Sequence, residues 1–120
     1  MKSQFVVLML VSLSLMAVGF AFAHDDHICP HHEATVSALR TCVEHASAHG
    51  HVDSAGITKS LLAKLDAAQA AIDRGQPSTG INILEAFIHQ VEGQSGNHID
   101  AAHAEHLVSH AKLVIQALSE

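Results

Sequence analysis

Glycine and proline divide this chain more firmly than any other residues. Pro30, Gly50, Gly56, Gly75, Pro77, Gly80, Gly93 and Gly96 leave four intervals of helical length between them and the C-terminus. Each interval carries apolar residues at a period near 3.6. In the first, about His32 to His49, Val36, Leu39, Val43 and Ala46 share one face. The second, about Ile57 to Arg74, lines up Leu61, Leu65, Ala68 and Ile72, with Gly75 placed as its stop. The third starts near Pro77 or Ser78 and aligns Ile81, Leu84, Ile88 and Val91, widened by Ile83 and Phe87. The fourth opens at Asp100, a side chain suited to capping, and carries Leu107, Ala111, Val114, Ile115 and Leu118. No interval alternates β-branched residues, so strands have little support. The expected fold is all-α, a small up-and-down four-helix bundle whose short connections make neighbours antiparallel.

Ahead of the helices stands a different segment. Lys2 supplies a positive start, Phe5 to Phe20 an apolar stretch, and Ala21-Phe22-Ala23 the small-x-small pattern of a cleavage site. We expect residues 1–23 to be a signal peptide cut after Ala23, residues 24–34 to form a His- and Asp-rich arm, and residues 35–120 to form the helical domain. A retained anchor is the alternative, since the apolar stretch is about long enough to span a bilayer. No cysteine lies at the cleavage site, which disfavours a lipoprotein, and no second stretch of that length follows. The destination is secreted or periplasmic, with no membrane association after cleavage.

Removing the leader changes the balance of what remains. Only 23 large apolar side chains (Val, Ile, Leu and Phe87) are left to build a core, alongside 16 alanines. Five lysine and arginine residues face twelve aspartates and glutamates, and all twelve histidines remain. Full protonation of the histidines would move the formal charge from −7 to +5, which makes pH-dependent assembly a possible behaviour. An acidic surface without Trp or Tyr argues against nucleic acid as a partner. GxGxxG, GxxxxGK, HExxH, GxSxG and CxxC are all missing, and four short helices with a thin core rarely enclose a water-excluding cleft. The expected protein is therefore not an enzyme.

The chemistry-bearing residues are the two cysteines and the histidines. Cys29 and Cys42 in an exported small domain read most simply as one disulfide pinning the arm to the first helix. A second reading uses the i, i+3, i+7 spacing of Cys42, His45 and His49, with Cys29 or His32 closing a tetrahedral metal set, and free thiols are a third. His24, His27, His31 and His32 lie in the arm beside Asp25, Asp26 and Glu33, a composition that binds Zn, Cu or Ni loosely or is simply a solvated tail. His103, His106 and His110 fall within one sector of the fourth helix, bordering its apolar stripe. They either face a neighbouring helix and share a metal or merely cover the core edge.

Several runs carry a family likeness. GITKSLLAKLDAA from Gly56, DRGQ from Asp73, AFIHQVE from Ala86 and GNHID from Gly96 resemble the FIMAH domain, a small helical module found near the C-termini of large bacterial exported proteins. The likeness extends over about Thr35 to Leu118, which makes residues 35–120 FIMAH-like. It implies a non-catalytic accessory or interaction module whose partner is another exported protein or surface component. It also implies structural roles for Leu61, Leu62 and Leu65 packing against Leu84, Phe87, Ile88 and Val91. The alternative reading is an exported Zn, Cu or Ni binding protein that uses the arm and the helix-edge histidines. The sequence leaves the oligomeric state open.

Overall fold

Thr35 begins the helical part of the molecule by standing outside it. Its backbone is extended, and its side-chain oxygen accepts from the Ala38 amide, 3.1 Å away, one of the donors a helix start leaves unpaired. Helix α1 therefore runs Val36–Ala48, four residues shorter at its start than the periodicity predicts. The computed structural model describes residues 29–120; the expected leader, His24 and His27 lie outside them. Ser54 caps α2 (Ala55–Asp73) by accepting from Ile57 N, so Gly56 sits in the first turn instead of marking a boundary. Pro77 opens α3 (Pro77–Gln94), where its missing N–H costs nothing, and Gly93 again lies inside the helix. Asp100 caps α4 (Ala101–Leu118), as its position predicts.

Each helix packs against the next, and α4 closes the ring against α1. Contacts at both ends fix the directions. Arg40 pairs with Asp66 and Thr58 donates to Ser47, so α1 and α2 are antiparallel. Ser60 donates to Gln90 at one end of the α2–α3 pair while Gly80 meets Ile72 at the other. Cys42 lies beside His110 and His51 beside His103, which makes α1 and α4 antiparallel as well. The described residues thus form an all-α, up-and-down four-helix bundle.

The stripes meet at the centre. Leu39, Val43, Leu61, Leu65, Leu84, Phe87, Val91, Leu107 and Val114 are buried to 1% exposure or less, with Ala68, Ala71 and Ala111 between them. Ile88 is buried and Leu62 packs against the core from a half-buried position. The small residues let the helices approach closely. A methyl group on Gly80 would sit 3.0 Å from Ile72 Cγ1 and 3.4 Å from the Ala68 carbonyl oxygen, so this close crossing of α2 and α3 favours a residue without Cβ. Gly75 ends α2 with φ +74°, a backbone angle that favours glycine.

Two further restraints close the ends. Cys29 and Cys42 form a disulfide, both nearly fully buried, closing a loop with a sequence separation of 13. Chain-entropy arguments give such a closure about 3 kcal/mol. At the opposite end of α1, the α1–α2 and α3–α4 connections bind each other. Asp53 N donates to the His98 carbonyl at 3.0 Å and Asp100 N to the His51 carbonyl at 2.8 Å, over the buried side chains of Val52 and Ile99. Among the described residues, no helix is long and apolar enough to cross a membrane.

Candidate metal centre

The antiparallel pairing of α1 with α4 gathers histidines that are far apart in sequence. His45 and His49 of α1 lead to His51 of the α1–α2 connection, which stacks on His103 of α4, and Cys42 of α1 lies beside His110 of the same α4 edge. The His45 and His49 ring centres are 4.3 Å apart, and those of His51 and His103 are 3.6 Å apart and nearly parallel. Farther along, His106 lies 6.2 Å from His110 and 6.0 Å from His32 of the arm, both edge to face. The result is a seam of imidazoles running along one side of the bundle.

Two triads within the seam bring ligand atoms to within 4.8 Å of one another. The first is His51, Asp100 and His103. The backbone bond from Asp100 N to the His51 carbonyl fixes the approach of the loop, and Asp100 is held by its capping role. The Asp100 carboxylate accepts from His103 Nδ1 at 2.9 Å and from the His103 amide. These bonds, the side-chain one foremost, hold its pKa below the usual carboxylate value, with His51 adding a smaller electrostatic pull. An ionised carboxylate beside two imidazoles is a hard and borderline donor set suited to Zn, Ni or Cu.

The second triad is Cys42, His106 and His110. His110 is buried to 3% exposure, and its Nε2 donates to the Glu33 carbonyl at 2.7 Å. Its other ring nitrogen, Nδ1, lies 3.7 Å from Cys42 Sγ. His106 is half-buried, and its Nε2 is enclosed without a hydrogen-bond partner. Burial pushes the His106 pKa down, and repulsion from His110, His32 and His103 adds to it, so its ring favours the neutral form that metals bind. A recess of about 240 Å³ bounded by His32, His106, His110 and Leu113 lies against the two histidines of this triad.

The remaining candidates separate. His31 lies in the exposed arm, 3.9 Å from the Glu33 carboxylate. His49 is exposed, 6.4 Å from the His51 ring, and it does not share a ligand cluster with Cys42. Cys42 turns inward to the disulfide and His110, so of the set expected along one flank of α1 only Cys42 joins a triad, while His45 and His49 stand beside each other outside both. Sequence reasoning missed His51 and treated Asp100 only as a cap. Asp100 followed by His103 three residues later was the legible signal for the carboxylate; nothing local marks His51.

The fold and the seam define a small all-α domain with a histidine-lined face. A family model for the FIMAH domain matches residues 36–116, and the chain belongs to that family. No curated protein and no solved structure matches it.

Proposed function

We propose that this FIMAH domain is a non-catalytic module of the exported space that binds a divalent transition metal at His51, Asp100 and His103. The family supports the accessory role, and the leader-like first 23 residues support export. The observation that carries the metal reading is the meeting of three donor atoms within 4.8 Å, supplied by a loop, a helix cap and the first turn of α4. Ligands drawn from two segments that hydrogen-bond to each other are held before the ion arrives. A partner among exported proteins or surface components would then meet the module with its metal in place, and metal binding stiffens the junction of the two connections.

Calorimetric titration of the tag-free, oxidised chain with Zn, Ni and Cu ions tests this reading. Stoichiometric, sub-micromolar binding that is lost in His51→Ala/His103→Ala is the expected result. Binding that is only millimolar, or that is unchanged in the double variant, overturns it.

A further inference from the structure

We propose that the Cys29–Cys42 disulfide is the closed form of a second, redox-gated zinc site made of Cys29, Cys42, His106 and His110. This goes beyond the site of the preceding section and stands independently of it. In the oxidised chain the Cys42 sulfur carries no proton, so it donates nothing to His110 Nδ1, although that nitrogen is buried and aimed at it from 3.7 Å. The Nε2 of His106 is enclosed and unpaired nearby. Ring nitrogens of one buried and one half-buried imidazole thus lie within 4.8 Å of a sulfur that gives them no hydrogen bond, an arrangement that favours a cation over the gap.

The spacing fits zinc. Bond lengths of about 2.3 Å to sulfur and about 2.0 Å to nitrogen place tetrahedral sulfur and nitrogen ligands about 3.5 Å apart. The observed separation of 3.7 Å between Cys42 Sγ and His110 Nδ1 is close to that. His110 also has the outer contact metal-bound histidines use, its other nitrogen donating to a backbone carbonyl. Cys29 sits with its Cα 5.2 Å from that of Cys42, so its released sulfur stays beside the site.

Opening the site requires a dithiol reductant. A thiolate of the dithiol attacks one sulfur, the S–S bond breaks, and the dithiol leaves as its own disulfide. Two electrons and two protons end on Cys29 and Cys42. Zinc then displaces the thiol protons and takes the two thiolates with one ring nitrogen each of His106 and His110. Reoxidation by a disulfide reverses these steps and expels the ion.

Cobalt(II) is the spectroscopic probe, used with the full chain in a His51→Ala/His103→Ala background so that failure of the first site cannot mask the second. After reduction with a dithiol and its removal under anaerobic conditions, cobalt should give thiolate-to-metal charge-transfer absorption and intense tetrahedral d–d bands. The oxidised chain should give neither. Zinc should displace the cobalt and bind the reduced chain roughly tenfold or more tighter than the oxidised one. His106→Gln and His110→Gln, checked for helicity, should weaken the bands and lose zinc protection of the thiols from alkylation; Cys29→Ser should keep one thiolate band. A reduced chain with no thiolate band, or thiols alkylated equally fast with and without zinc, overturns the proposal.

Discussion

Two glycines in α3 should respond in opposite directions to the same change. At Gly93 a methyl group meets nothing within 4 Å, so Gly93→Ala gains helix propensity alone, about 0.5–1 kcal/mol. At Gly80 the same methyl lands 3.0 Å from Ile72 Cγ1, well inside the contact distance of about 3.5–4.0 Å for carbon pairs. The Ala68 carbonyl oxygen, 3.4 Å away, is in ordinary contact, so the strain falls on Ile72, which is β-branched and stiff at its Cγ1. Overpacking of this kind costs about 1–3 kcal/mol, which exceeds the propensity gain. Gly80→Ala should therefore destabilise by about 1 kcal/mol net, a fall in Tm of about 4–8 °C for a domain this size. Urea denaturation of the two variants, and of Gly80→Ala combined with Ile72→Ala, measures the effect. In the Ile72→Ala background the penalty at Gly80 should vanish, giving a coupling of about 1–2 kcal/mol. A Gly80→Ala variant as stable as the parent, or a penalty untouched by shortening Ile72, would refute the close-crossing account.

Other consequences follow from burial and charge. Among the described residues Phe87 is the largest fully buried side chain, so Phe87→Ala should cost about 3–5 kcal/mol and Phe87→Leu under about 1.5; an alanine cost below about 1 kcal/mol by urea midpoint contradicts a core centred there. His106 binds its proton less readily folded than unfolded, so its contribution to stability is whole above its ordinary value of 6.5 and is lost as pH falls through the lower folded value. Asp100, which accepts from His103 and faces His51, acts in the same direction at more acidic pH, below its ordinary 3.8. NMR titration should show the His106 ring protonating below 6.5, and a midpoint at or above that value would remove the burial argument.

The helices themselves were legible because their causes are local. Period-3.6 stripes, Asp100 at a helix start and Gly75 at a helix stop are written within a few residues, and they led to the observed bundle. Gly56 and Gly93 misled because a helix tolerates glycine near its ends when caps such as Ser54 set the boundary. His103, His106 and His110 were visible as an edge of α4, but what that edge faces was not. His51 carries no local mark at all. It joins Asp100 and His103 through a backbone bond between two connections 49 residues apart. Likewise, the spacing of Cys42, His45 and His49 placed them on one flank without saying which would turn inward.

The sequence by itself determined four amphipathic helices, an alanine-rich core with few large side chains, and a single pair of cysteines. These are properties of short stretches and of composition, set by periodicity, capping and counting. Only the tertiary structure decided that α4 closes against α1, and with that closure came the histidine seam, the two triads and the burial of His110 against Glu33 and Cys42. Ligand sets depend on distances of a few ångströms between segments, and those distances are fixed by packing, to which no single segment holds the key.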